Sequence, residues 1–134
     1  MPDTGQMSVG MLTGAEVMTT APDTTLVEVA KVISGAGVGA LVVGSVEDLK
    51  GVVSERDVVR AVAEGRELTT TTAADVASTD LVWADATASI DEVALEMSDR
   101  WVRHVLVEDG GSLVGIVSAR DLLGAYAAVG DSLD

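Results

Sequence analysis

Apolar residues recur along the chain with two spacings, and the second half repeats the order of the first. Leu26, Val29, Ala30 and Ile33 fall on one helical face, and Thr25 with Glu28 three residues on reads as a capping box, so a helix is predicted over about 26–34. Two short apolar runs follow, Ala40 to Val43 and Gly51 to Val53, separated by polar residues as paired strands are. Ser54 then opens a second helix that runs toward Glu64 and stops at Gly65. The order returns further on. Ser89 and Glu92 form the second box, Ile90, Val93, Ala94 and Met97 the face, and Val102 to Val107 and Leu113 to Val117 the strands. Asp109-Gly110-Gly111 marks the hairpin turn. Ser118 starts a closing helix that ends near Gly130.

The echo is a duplication at an offset of 64 residues. Residues 26–59 align on 90–123 without a gap, with 12 of 34 positions identical. A repeat of that extent predicts two equivalent units, each helix, strand, strand, helix, packed about a pseudo-two-fold in a mixed α+β fold. The expected boundaries are a loose arm at 1–10, a first unit at 11–65, a connector at 66–74, a second unit at 75–130 and a tail at 131–134. The connector carries Thr69-Thr70-Thr71-Thr72, which has no helical periodicity. A short helical turn at about 73–77 and a strand at 81–84 lead into the second unit. Matching Val17-Met18-Thr19 to Val76-Ala77-Ser78 leaves the first copy five residues short, so it is expected to lack that strand.

Composition narrows the chemistry. Aromatics are 2% of the chain and Phe is absent, so the core must be built from aliphatic side chains. A net charge of −14 with scattered basic residues argues against a nucleic-acid backbone or an anionic membrane as partner. A small nucleotide is not excluded, because distant charges are screened beyond roughly 8 Å. Without cysteine there is no disulfide, thiolate metal site or thiol nucleophile. One His, no HExxH and no P-loop leave no catalytic pair and no metal cluster, so the expectation is no enzyme and no required cofactor. Without a signal peptide or a long apolar run, a cytoplasmic location is expected.

The most closely repeated phrase is Gly51-Val52-Val53-Ser54-Glu55-Arg56-Asp57, matched by Gly115-Ile116-Val117-Ser118-Ala119-Arg120-Asp121. It delivers a buried strand to a helix N-terminus, where free N–H groups and the macrodipole favour an anion. The Ser hydroxyl can donate to a phosphate, and the carboxylate one turn on can accept both hydroxyls of a ribose. The bland alternative is that Ser and Asp only cap the helix. Capping does not require Arg56 or Arg120, which are kept while the residue before them changes.

These phrases and the doubled element order, over about residues 12–128, resemble a pair of cystathionine β-synthase (CBS) domains. The resemblance implies a regulatory module that binds an adenosine-containing ligand, AMP, ADP, ATP, NAD or S-adenosylmethionine, in clefts between the units, and that forms disc-like dimers. Carried over by position, Asp57 and Asp121 hold ribose hydroxyls, Ser54 and Ser118 lie near ribose or phosphate, and Arg56 and Arg120 neighbour the phosphate. Leu81, Val82, Val105 and Leu106 then line the base slot of the second copy, and Ala40, Leu41 and Val42 that of the first. Whether Mg²⁺ accompanies a polyphosphate stays open. His104 and Trp83 read first as packing residues. The closing helices are apolar beyond one stripe, which points to a second copy of the chain as partner. With no effector domain in the sequence, output would pass to another protein. The alternative is a structural or interaction dimer that binds no nucleotide.

Overall fold

The computed structural model describes residues 7–133, with side chains up to residue 128. Its elements are β1 (Thr19–Thr20), α1 (Leu26–Ala36), β2 (Ala40–Gly44), β3 (Leu49–Ser54), α2 (Glu55–Ala63), α3 (Ala73–Val76), β4 (Trp83–Asp85), α4 (Ile90–Arg100), β5 (His104–Asp109), β6 (Ser112–Ser118) and α5 (Ala119–Leu133), preceded by a 3-10 turn at Val9–Leu12. They form two three-stranded sheets, β1-β2-β3 and β4-β5-β6, in a mixed α+β fold. The expected order of helix, strand, strand, helix is present twice.

The chain divides into two compact units, residues 17–81 and residues 1–16 with 82–134. In the first, Leu41 and Val43 of β2 and Val53 of β3 pack on Leu26, Val29 and Ile33 of α1 and on Ala61 of α2. In the second, Val105, Val107 and Val117 pack on Ile90, Val93 and Met97 of α4 and on Leu122 and Ala125 of α5. Apart from the thioether Met97, every one of these is an aliphatic or small side chain, as a chain without Phe demands.

Two expectations at the starts of the copies are corrected. The first copy does not lack its opening strand: β1 runs parallel to β2 with Thr19 opposite Val42, as β4 runs parallel to β5 with Trp83 opposite Leu106. The offset of 64 therefore holds back through Thr19, and no residues are missing. Val17-Met18-Thr19 corresponds to Leu81-Val82-Trp83, whereas Val76-Ala77-Ser78 corresponds to Leu12-Thr13-Gly14. Nor is the arm loose where it is described. Ser8 bridges Ser89, Val9 is fully buried, and the Val9 N–H donates to the Ala88 carbonyl at 2.7 Å. Residues 1–6 of the expected arm lie outside the described residues. Each copy's leading segment thus joins the unit built from the rest of the other copy. Val9–Leu12 docks on the unit of 82–134, while α3 and Ser78, which bridges Val52, belong to the unit of 17–81.

The helix starts form as capping chemistry requires, with one refinement. Thr25 and Ser89 accept from the N–H of Glu28 and Glu92, but neither Glu returns the bond, so each predicted box is half made. A complete box stands instead at the start of α3: Thr72 accepts from Asp75 N–H, and Asp75 accepts from Thr72 N–H at 2.9 Å. The Thr72 N–H and hydroxyl hold the Asp75 carboxyl below its usual range. Because that pKa is depressed, the stabilisation is present above the unfolded carboxylate pKa and fades as pH falls through the folded value.

The helix ends differ between copies in an informative way. Gly37 closes α1 at φ 67°, in the left-handed region that glycine enters freely, whereas its counterpart after α4 is Trp101 at φ 58° and 87% exposed. A left-handed conformation costs an L-residue about 1–2 kcal/mol, and so exposed an indole regains little by packing. Trp101→Gly is expected to raise the unfolding free energy by roughly 1 kcal/mol, measured by urea denaturation.

Candidate functional site

The repeated phrases place the same small structure at the start of each closing helix. Ser54 N-caps α2 with a complete box: its N–H donates to Asp57 Oδ2 at 2.8 Å, and its Oγ accepts from the Asp57 N–H at 3.2 Å. The Ser54 hydroxyl also lies 3.0 Å from Asp57 Oδ2. At α5 the Ser118 N–H donates to Asp121 Oδ2 at 2.8 Å and Ser118 Oγ accepts from the Asp121 N–H at 3.1 Å. Capping therefore occurs at both positions, as the bland reading required. In both boxes it engages Oδ2 of the carboxylate. A carboxylate offers about four acceptor sites, so Oδ1 retains capacity for a further donor.

The two carboxylates sit in different surroundings. Asp57 keeps only 12% of its side chain exposed, and its Oδ1 lies 3.7 Å from an Arg60 guanidinium nitrogen. Asp121 is exposed. Arg56 and Arg120 are exposed and form no ion pair among the described residues, which leaves two cationic side chains beside the helix starts.

Glycine at the head of each phrase has a steric cause. A Cβ on Gly51 would stand 2.8 Å from the Ser78 carbonyl oxygen, and one on Gly115 would stand 2.6 Å from Thr13 Cβ. Real Cβ atoms do not approach so closely. The glycines let each copy's leading segment cross the strand that carries Ser54 or Ser118.

Strand alternation separates the residues expected in the base slots. Leu41 and Val105 are members of the helix-side cores, 0% and 1% exposed, and face away from the sheet surface that carries Ser54 and Ser118. Val82 also packs partly on the helix-side core, although its carbonyl accepts from the Leu106 N–H at 2.9 Å. Leu81 is half-buried. The residues that do share a face with the serines are Ala40 and Val42 in one unit and Leu106 in the other. There Ala40 pairs with Ser54 and Val42 with Val52, while Leu106 pairs with Ile116. Ala40, Val42 and Leu106 are themselves buried.

The same alternation brings forward His104 and Trp83, whose sequence context suggests packing. His104 lies directly across from Ser118, in the position that Ala40 holds opposite Ser54. Trp83 shares the rung of Leu106 and Ile116, where the other unit has Thr19 with Val42 and Val52. Counting back in twos along the strand from each serine finds Val52 and Ile116 on the same face. Among the described residues no group of three or more His, Asp or Glu side chains is placed to hold a metal ion. No helix among them is long and apolar enough to cross a membrane.

Comparison with known proteins agrees with the doubled fold. The CBS domain family matches residues 9–64 and again 73–128. An uncharacterised protein of Methanopyrus kandleri is 31% identical over 120 residues, 87% of this chain and 61% of that longer relative. A CBS-domain-containing protein of Agrobacterium tumefaciens has a similar structure, with a TM-score of 0.82 at 30% identity over 90% of this chain and 93% of its own. A CBS domain protein of Pyrobaculum aerophilum, solved in complex with AMP, matches with a TM-score of 0.75 at 29% identity over 91% of this chain and 99% of its own. With two matched domains that together take up most of its length, the chain belongs to the CBS-domain family.

Proposed function

We propose that the chain is a regulatory module that binds an adenosine-containing ligand at the starts of α2 and α5 and passes its ligand state to a partner protein. The observation that carries this reading is the twice-formed Ser-x-x-Asp box, in which capping engages Oδ2 while Arg56 or Arg120, in no ion pair among the described residues, stands alongside. In this reading Asp57 and Asp121 receive ribose hydroxyls on Oδ1, Ser54 and Ser118 lie by the ribose or phosphate, and the arginines neutralise the phosphate. Ala40, Val42 and Leu106 form the apolar side of the base site. The AMP held by the Pyrobaculum relative supports the ligand class. Binding is the whole activity, with no catalytic step, no required metal, and no nucleic acid or membrane as partner.

Thermal unfolding with AMP, ATP, NAD and S-adenosylmethionine tests it, since a ligand at 100 times its Kd adds about 2.7 kcal/mol of stability. A shift with at least one of them is expected. No shift with any would favour the second reading, a structural dimer in which Ser54, Asp57, Ser118 and Asp121 serve only as caps. What favours that reading is that all four already bond within their own helix starts.

The proposal includes a homodimer. Val59 and Val62 on α2 are 66% and 57% exposed, and their counterparts Leu123 and Tyr126 on α5 are 68% and 36% exposed. Four apolar side chains at matching positions suit burial against a second copy. Val59→Lys with Leu123→Lys is expected to shift the protein to monomers in sedimentation analysis, and an unchanged dimer would remove this face from the interface.

A further inference from the structure

The duplication supplies an internal control for every surface residue, because whatever the fold needs at one position it also needs 64 residues away. One surface of the second unit fails to match its twin. Beside α4 and β4 lies a groove of about 410 Å³ walled by Trp83, Leu95, Val93, Glu92, Glu96 and Asp99. Trp83 is 42% exposed and Leu95 is 63% exposed. The corresponding positions in the first unit are Thr19 for Trp83, Lys31 for Leu95, Val32 for Glu96 and Gly35 for Asp99, with Glu28 for Glu92 and Val29 for Val93. The inward valine is kept, so the packing of the helix on its sheet does not explain the difference. An exposed indole and leucine, rimmed by three carboxylates, are additions of the second copy to a helix that folds without them in the first.

We propose that this groove is a docking site for an arginine-bearing, partly apolar segment of a partner protein. The charge of the site selects that occupant. Glu92 and Asp99 form no ion pair among the described residues, while Glu96 is shared with Arg100 at 2.7 Å. The aliphatic stem of an arginine can lie along Leu95 and the Trp83 face, where its guanidinium is attracted by the ring, and its planar fork then reaches the carboxylates on the rim. A lysine would place a point charge there with less to gain from the indole. An acidic segment is repelled both locally and by the net charge of −14. Across a two-fold contact through this groove, Glu92, Glu96 and Asp99 of both copies would face one another, so a second copy is the poorer fit here. The groove lies beside α4 and not at the starts of α2 and α5, and of its walls only Trp83, on the rung of Leu106, belongs also to the serine-bearing face, so the inference does not depend on a nucleotide binding there.

Fluorescence anisotropy with a labelled peptide of alternating arginine and leucine tests it, against the same peptide with glutamate for arginine. The full chain is compared with Trp83→Thr/Leu95→Lys, which installs the residues its own twin carries, and with Glu92→Gln/Asp99→Asn. Asp23→Asn/Glu47→Gln removes the same charge from exposed positions elsewhere. The arginine peptide is expected to bind the parent chain and to lose roughly tenfold in affinity in each groove variant, the scale of one interface anchor. Binding should stay nearly unchanged in the remote variant, and the glutamate peptide should not bind. Equal loss in the groove and remote variants would reduce the effect to net charge and overturn the proposal. So would retention of affinity in both groove variants. Dissociation of a dimer by Trp83→Thr/Leu95→Lys, seen by sedimentation, would assign the groove to a second copy instead.

Discussion

Leu41→Ala is expected to destabilise the protein by about 2–5 kcal/mol, the range for emptying a well-packed aliphatic site, while leaving any nucleotide affinity of the folded fraction unaltered. Leu41 is fully buried among Leu26, Val29, Ile33 and Val53, and its side chain faces the helices. In a core without Phe, the neighbours of Leu41 are aliphatic and close-packed, so the cavity cannot collapse freely. Urea denaturation gives the stability change, and calorimetry at a temperature where the variant is folded gives the affinity. Val105 is expected to behave in the same manner in the second unit, on a smaller scale because fewer atoms are removed. If either substitution weakened a nucleotide without loss of stability, the assignment of the two faces of the sheet would be reversed.

The second large effect is on binding. Asp121→Ala removes the carboxylate that would accept from a ribose, and a hydrogen bond to a charged group is worth about 1.5–3 kcal/mol, which corresponds to a roughly ten- to hundredfold rise in Kd at that site. Asp57→Ala should do the same at the start of α2, with an added stability loss. Asp57 is mostly buried and receives the Ser54 N–H and hydroxyl, so its removal strands two donors, about 0.5–2 kcal/mol by analogy with cap deletions. Asp121 is exposed, so its variant is the cleaner probe. Titration calorimetry of AMP into each variant checks both. Undiminished affinity and stoichiometry in the two variants would refute the role given to the carboxylates.

What could be read in the chain follows the range of the interactions that produce it. Helix starts at Thr25, Ser54, Ser89 and Ser118 are marked by a hydroxyl and an acidic residue within one turn, and all four helices form there. The hairpins are local as well. β1 is different: Thr19-Thr20 has no alternation to detect, and it is a strand only because a main chain more than twenty residues further on, at Val42 and Val43, lies parallel to it. The likeness of Val17-Met18-Thr19 to Val76-Ala77-Ser78 masks it, because the structural equivalent of Thr19 is Trp83. The attachment of Val9 to the unit of the second copy was equally invisible, since nothing near Val9 in sequence signals Ser89 or Ala88.

The candidate site was legible in its polar part and blurred in its apolar part. Ser54, Asp57, Ser118 and Asp121 come together in pairs because they are one helical turn apart. Leu41-Val42-Val43 and Val105-Leu106-Val107 are uniformly apolar, so their period of two is hidden in composition. Only the pairing of Ala40 with Ser54 and of His104 with Ser118 tells which members face the serines. The register also brings His104, and through β4 Trp83, to the serine-bearing face of the second unit alone, an asymmetry that separates two otherwise parallel sites.

The reading of the helix starts as ribose sites meets its most direct test in a crystal structure of the protein grown with AMP. The expected result is a nucleotide whose ribose hydroxyls lie about 2.6–3.0 Å from Oδ1 of Asp121 or Asp57, with Oδ2 still bonded to the serine N–H. Nucleotide bound elsewhere, or both carboxylates contacting only their own helix starts at saturating AMP, would contradict it.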